Sequence, residues 1–288
     1  GFVHLHCHTQ YSLLDGAIRI HDLVSKTQSF GQEAVAVTDH GVLYGAMEFY
    51  DKAQKVGIKP IIGCEIYVAP GDMKSREQIP GMPKNYHLVL LAQDETGYRN
   101  LIRLVSMAHV DGFYYKPRVD RAALSELNKG LIALSACLQG EIPYWLLRGN
   151  EERANDALEF YSRTFEGRFY LEIQANGLAD QETVNPQLVE LGRRRGIPVV
   201  ATNDCHYLLK SDAKAHEALL CIQTQTTLHD KGRMSFETDE LYLKSPQEME
   251  AYFHWVPEAV DASAEVAGRC SLELPRGEYY FPVYPTED

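Results

Sequence analysis

The chain has 288 residues, 45% of them hydrophobic, and a formal net charge of −12. That length and composition are enough to bury a full core, as one barrel-sized domain or two smaller ones, and they exclude a disordered chain. The acidic balance counts against a free-standing nucleic-acid binder, which needs a basic face to displace counterions.

Local basic groups, bound cations or the rest of a larger protein would have to supply any grip on DNA; Lys116, Arg118 and Arg121 are the local candidates. No apolar run approaches the ~18 residues of a membrane span. Phe2-Val3-His4-Leu5 follows Gly1 with no basic, signal-type stretch. The expectation is a cytoplasmic protein with no membrane partner. The six cysteines form no small-domain disulfide framework and are expected to be reduced.

Short apolar runs alternate with longer amphipathic stretches, the pattern of strand–helix units in a parallel sheet. The first predicted strand, 2–6, carries His4 and His6 in phase with His8, so spacing alone does not choose the chelating pair. Asp15 follows in a loop before a helix over 20–30. A strand over 34–38 then runs into Asp39-His40-Gly41, a turn that aims the imidazole, with Asp39 as an acceptor behind it. After a helix over 45–56, the strand 60–68 holds Glu65, whose two oxygens can bridge two ions. Cys7 and Cys64 have the opposite phase to His6, His8 and Glu65, which makes them small buried hydrophobes. The loop 69–84, rich in Pro, Gly and Met, reads as a flap over the site.

The strand 87–92 opens on His87 and precedes a helix over 97–108. The strand 131–135 leads to Cys137, and a helix over 155–164 separates it from a strand over 169–173. A helix over 182–195 ends on Arg193-Arg194-Arg195, where positive charge suits the helix dipole. The seventh strand, 199–202, leads to Asp204-x-His206, a second pair two residues apart. Helices over 213–223, 246–253 and 257–269 do not continue the ligand pattern. His21, His109, His216, His229 and His254, on helices or polar loops, are expected to be surface or packing residues. No dinucleotide fingerprint or phosphate loop follows any strand.

The candidates His6, His8, Asp15, His40, Glu65, His87, Cys137, Asp204 and His206 lie in strands, just after them, or in the loops behind them. Taken singly, each has an ordinary structural role as a buried imidazole, salt-bridged carboxylate or buried thiol. Nine on one predicted face are a different matter. A catalytic zinc-like ion takes about four ligands and leaves a position open, so the set implies two or three divalent ions. Imidazole, carboxylate and one thiolate suit zinc first, with manganese or iron as alternatives. Close ions with a shared open face suit phosphate-ester hydrolysis, one activating water and another stabilising the leaving oxygen. Strand ends meet on one face in a β/α barrel, so convergence predicts an α/β fold closed as a distorted barrel of seven units.

This set, in this order and spacing, resembles the polymerase and histidinol phosphatase (PHP) family. The segments Phe-Val-His-Leu-His-Cys-His-Thr-Gln-Tyr-Ser-Leu-Leu-Asp-Gly (2–16), Ala-Val-Thr-Asp-His-Gly (36–41), Gly-Ile-Lys-Pro-Ile-Ile-Gly-Cys-Glu (57–65) and Val-Ala-Thr-Asn-Asp-Cys-His (200–206) are similar to the N-terminal PHP domains of bacterial replicative DNA polymerases. The resemblance runs through nearly the whole chain. It implies a distorted (β/α)7 barrel over 1–275 and an extended exit segment over 276–288 toward a polymerase core. It also implies a trinuclear site, with one ion on His6, His8, Glu65 and Asp204, a second on Glu65, His87 and Cys137, and a third on Asp15, His40 and His206. His4 stays outside, one step deeper in the barrel. The implied catalytic residues are His6, His8, Glu65, Asp204 and His206, and the implied activity is a metal-dependent 3′–5′ exonuclease acting on the 3′ end of the primer strand. The implied partners are DNA, the remaining polymerase domains and a separate proofreading exonuclease subunit. Two rivals stand beside this reading: a catalytically silent, metal-stabilised scaffold that docks the separate exonuclease, and a small-molecule phosphomonoesterase.

Overall fold

The structure, a computed structural model, describes residues 1–274, 277 and 281–282. The expected exit segment over 276–288 therefore lies almost wholly outside the described residues. Six of the seven expected runs form strands: β1 (Ala34–Val37), β2 (Lys59–Val68), β3 (Tyr86–Ala92), β5 (Leu131–Leu134), β6 (Phe169–Gln174) and β7 (Val199–Thr202). A two-residue strand, β4 (Arg118–Val119), pairs with the end of β2. The sheet order is β1-β2-β3-β5-β6-β7. Around it lie α1 (Ile20–Ser29), α2 (Ala46–Lys55), α3 (Glu95–Val110), α4 (Arg121–Glu126), α5 (Glu141–Leu147), α6 (Glu151–Thr164) and α7 (Ala179–Arg195), followed by α8 (Ala213–Thr224), α9 (Pro246–Tyr252) and α10 (Pro257–Arg269).

The helices form where apolar residues recur at helical spacing. Ala46, Phe49, Tyr50 and Ala53 line the buried side of α2, and Ala154, Ala157, Leu158 and Tyr161 that of α6. Asp94, Asp120 and Asn150 cap α3, α4 and α6 by accepting from Gly97, Ala123 and Arg153 backbone N–H groups. In the sheet, Ile61, Val89, Leu91, Ile132, Leu134, Tyr170 and Val200 share one apolar cluster. Glu65, His87 and Glu172 fall in phase with Ile61, Val89 and Tyr170 on their strands. Cys64 has the opposite phase and packs with the helix layer, as expected, and Cys7 also packs among helix residues.

Two features differ from a regular parallel barrel. β3 runs antiparallel to both β2 and β5. The chain returns from β2 to β3 through a helix-free loop, and a direct return of this kind produces antiparallel pairing because a parallel pair needs a crossover. The consequence is functional: His87, at the start of β3, comes to the same end of the sheet as the ends of its parallel neighbours.

The second difference is the first expected strand, 2–6, which is an irregular extended segment and not a regular strand. It still joins the two edges of the sheet. Ala36 N–H and Thr38 N–H on the β1 side donate to His4 and Cys7 carbonyls, while Cys205 N–H, just past β7, donates to His6 carbonyl and His8 N–H to Cys205 carbonyl. The result is a distorted (β/α)7 barrel closed through its N-terminal segment.

No residue of the loop 69–84, expected as a flap, lines the clefts at the mouth. Arg118, 4% exposed, donates from Nη2 to Met73 and Ser75 carbonyls at 3.0 and 2.7 Å, and from Nε to Gly112 carbonyl at 3.3 Å. This guanidinium straps the loop to the side of the barrel. Arg121 is likewise engaged, by Glu141 and Asp156. Of the three basic candidates near the mouth, Lys116 lines the cleft there.

Candidate metal centre

At the barrel mouth the structure brings together all nine candidate residues. The deepest are His6, His8 and Glu65, each 0% exposed. His6 Nε2 lies 3.3 Å from both Glu65 Oε2 and Asp204 Oδ1. His8 Nε2 lies 3.1 Å from the same two oxygens, and the two imidazole nitrogens are 3.2 Å apart. Four atoms bound tetrahedrally at 2.0–2.1 Å to one ion would sit roughly 3.3 Å from one another. Glu65 Oε2 and Asp204 Oδ1 are buried and accept no hydrogen bond, although imidazole nitrogens surround them. The ligand-type atoms of His6, His8, Glu65 and Asp204 all lie within 4.8 Å of one another, close enough to share one cation. Buried carboxylate oxygens left unpaired are costly, and a divalent ion is the kind of partner this donor set fits.

Glu65 extends the cluster through its other oxygen. Oε1 lies 2.7 Å from His87 Nδ1, and Cys137 Sγ is 3.7 Å from that oxygen and 3.5 Å from that nitrogen. A thiolate and an imidazole on one zinc-like ion would be roughly 3.6 Å apart. His40 Nδ1 is 2.9 Å from Glu65 Oε2 yet has no hydrogen-bond partner, and its Nε2 is 3.1 Å from Asp15 Oδ2. His206 Nε2 lies 3.7 Å from Asp15 Oδ1. His40 and His206 thus gather around Asp15 at the outer edge of the cluster.

The surroundings fix which ring nitrogen faces inward. His6 Nδ1 donates to Glu172 Oε1 at 2.7 Å, an oxygen that also accepts from Thr202 and Gln174. Ser12 Oγ donates to Asp39 Oδ1 and so accepts from His8 Nδ1. His206 Nδ1 donates to the Asp204 carbonyl at 2.8 Å. Each of these rings presents Nε2 to the cluster. Asp39 is not the acceptor behind His40 that the sequence suggested. It accepts from Thr9 and Ser12 instead, holding the turn that carries His8. His4 lies deeper, donating from Nε2 to the Lys244 carbonyl.

The electrostatics follow from four buried or half-buried carboxylates in one place. Burial opposes charge on His6, but Asp204, Glu172 and Glu65 outweigh it and hold its pKa well above the ordinary imidazole value. At His40 burial is likewise overcome, by Glu65 and Asp15, and the pKa is pushed up to about 10. At His206 burial prevails and the pKa falls to about 4. Burial also works against ionised Glu65, yet His87, His40 and His6 keep it well below the usual carboxylate range. Burial, with Glu65 and Asp204, drives the Cys137 thiol pKa up.

Backbone strain falls at or directly before three of these residues. Leu14 (φ 63°), Ala136 (φ 62°) and Asp204 (φ 53°) adopt left-handed conformations, which cost a non-glycine residue about 1–2 kcal/mol. They precede Asp15, precede Cys137 and carry a ligand carboxylate, respectively. A cleft of about 490 Å3 opens above, lined by Asp15, His40, His87, Cys137, Asp204 and His206 together with Lys116, Tyr67 and Phe236. It lies in the size range of small-molecule and cofactor sites.

The PHP domain family matches residues 4–176. The chain belongs to the PHP family. This PHP domain is 48% identical to the DNA polymerase III subunit alpha of Thermus aquaticus over 99% of its length and 24% of that protein's, and 45% identical to that of Treponema pallidum over 99% and 24%. It thus spans about a quarter of the length of these relatives. Among solved structures, a two-domain protein of Bacteroides vulgatus containing a predicted PHP-like metal-dependent phosphoesterase aligns at 14% identity with a TM-score of 0.45, covering 93% of this chain and 69% of that one. An amidohydrolase of Chromobacterium violaceum aligns at 13% identity with a TM-score of 0.43, covering 88% and 97%.

Two residues that border the cluster, Glu172 and His216, are not among the nine sequence candidates. Glu172, which orients His6, looks in the sequence like any polar residue within a strand; its phase with Tyr170 on the inner face of β6 was the available signal. His216, expected on the surface or in packing, is 2% exposed and faces Asp15. Its position on a helix beyond the last strand hides it from any strand-end pattern.

Proposed function

We propose that this PHP domain hydrolyses phosphodiesters at a divalent-metal cluster, as a 3′–5′ exonuclease on the primer strand of the replicative polymerase of which it forms part. The observation that carries the reading is the convergence of nine donor side chains at the floor of an open cleft, with Asp15 Oδ1, His40 Nδ1, Glu65 Oε2 and Asp204 Oδ1 buried and without hydrogen-bond partners. His6, His8, Glu65 and Asp204 would hold one ion, Glu65, His87 and Cys137 a second, and Asp15, His40 and His206 a third. Zinc suits this donor set, as do manganese and iron. Bound together, such ions supply an activated water and neutralise the charge that develops on the phosphoryl group and the leaving oxygen.

The residues of the chain supply the rest. Glu172, Ser12 and the Asp204 carbonyl hold three imidazoles with Nε2 inward, so no ring has to reorient during turnover. Lys116, on the cleft wall with its ammonium 5.3 Å from the Tyr67 ring centre, is placed to meet a phosphate. Tyr67 and Phe236 offer apolar faces to a sugar or base. A second cleft of about 160 Å3 shares Asp15, His40, Tyr67 and Lys116 and continues past Tyr11, Leu13 and Tyr44. A path of this kind suits a polymer strand, whereas a small phosphomonoester would need the first cleft alone. With a net charge of −12, most of the DNA grip would come from the rest of the polymerase.

Release of nucleoside monophosphates from a 3′-labelled primer by the full-length protein tests the reading. Release is expected with divalent metal, lost on chelation, and reduced by about 10²-fold or more in Asp15→Ala; absence of metal-dependent release from the intact polymerase would sink it. One observation favours a scaffold that docks a separate proofreading exonuclease: the cluster sits on the barrel seam, where ions would staple the 4–8 segment to the end of β7. Under that reading Asp15→Ala lowers stability or partner binding and abolishes no catalytic step.

A further inference from the structure

We propose that His216 is a tenth ligand of the centre, supplied from α8 to the ion on the Asp15 side. The proposal rests on the reading that the cluster holds metal. His216 is 2% exposed, and its Nε2 is buried without any hydrogen-bond partner. Facing it at 3.6 Å is Asp15 Oδ1, also buried and also without a partner. That separation is too long for a hydrogen bond. It lies within the span of two atoms bound to one ion at 2.0–2.1 Å, roughly 3.3 Å at the tetrahedral angle and more as the angle opens.

His206 Nε2 stands 3.7 Å from the same Asp15 oxygen, while Asp15 Oδ2 faces His40 Nε2 at 3.1 Å. Asp15 is therefore flanked by three imidazoles, two of them aimed at one orphaned oxygen. The ring of His216 is held in place by packing. Phe236 stacks on it at 5.7 Å and contacts His206 at 5.9 Å, and Tyr207 closes the other side at 5.2 Å. A buried polar atom left unpaired carries its full desolvation cost, and ligation removes that cost for both atoms at once.

α8 follows the last strand and belongs to none of the strand–helix repeats. Its end carries Gln223 and Thr224 into the cleft wall. A ligand on this helix would make the outer ion a clasp that fixes one wall of the cleft to the barrel.

The test uses the full-length protein loaded with Zn²⁺ and desalted, with metal content read by mass spectrometry and amide exchange read over 213–236. His216→Ala is expected to lose one metal equivalent relative to wild type, and its α8 amides to exchange as fast as those of chelator-treated wild type. His216→Asp, which restores a ligand of another kind, should regain that equivalent. Phe236→Leu, which loosens the packing alone, should keep it. Unchanged metal content and α8 protection in His216→Ala would overturn the proposal while leaving the metal centre intact. A wild-type protein that retains no zinc would instead remove the reading on which it rests.

Discussion

Glu172 Oε1 accepts from His6, Thr202 and Gln174 at once, so this carboxylate is locked before it locks the imidazole. A carboxylate behind a ligating histidine fixes its tautomer and raises its basicity, and loss of such a partner lowers metal affinity about 10–100-fold. Glu172→Gln keeps the shape and removes the charge. It is expected to weaken zinc binding within that range in a chelator competition, with an unchanged circular dichroism spectrum; wild-type affinity would show that the contact is packing alone. The nine candidate ligands were legible residue by residue because donor-type side chains stood at strand ends, two residues apart in two pairs. Glu172 was not legible as a partner, since hydrogen bonding across 166 positions leaves no local spacing to read.

Between the end of β2 and the start of β3 the chain makes a direct return within the sheet, and this hairpin-like connection sets where His87 goes. The strand pattern identified β3 but not its direction, because alternation in a strand reads the same from either end. The same connection is the expected flap, and it lines neither cleft at the mouth. Polar and Gly/Pro-rich composition reports only the lack of regular structure, while the strap that holds the loop is Arg118, more than thirty residues later in sequence. Arg118→Ala would leave the Met73, Ser75 and Gly112 carbonyls without this partner. Hydrogen bonds to a charged group contribute about 1.5–3 kcal/mol each, so a stability loss on the order of 3 kcal/mol is expected in urea unfolding, with faster amide exchange over 69–85. Unchanged exchange there would show the loop to be held by other contacts.

For the molecule as a whole, the proposed metal binding would compete with protonation for the same atoms. His6 and His40 have pKa values raised above that of an unfolded imidazole, His40 to about 10. Their charged forms therefore stabilise the metal-free fold fully below about pH 6.5, and that contribution fades as pH rises through the folded values. Metal needs these nitrogens unprotonated, and the Cys137 thiol ionised, so apparent affinity moves the opposite way and climbs over the same window. The difference in melting temperature between metal-loaded and chelator-treated protein should widen from pH 6.5 towards 9. Metal binding should also release protons, visible in calorimetry as a dependence on buffer ionisation enthalpy. A pH-independent difference with no proton release would contradict the assignment of these residues as ligands.

The sequence by itself determined the donor types, their order and their placement at the ends of apolar runs, because hydrophobic periodicity and residue chemistry are local properties. From these came the seven-unit α/β plan and the expectation of a metal cluster. Tertiary structure alone decided how the barrel closes, which way β3 runs, which nitrogen of each ring faces inward, and that His216 reaches Asp15 from outside the repeats. Each of these depends on hydrogen bonds or packing between segments far apart in the chain, and short-range spacing carries no record of such pairings.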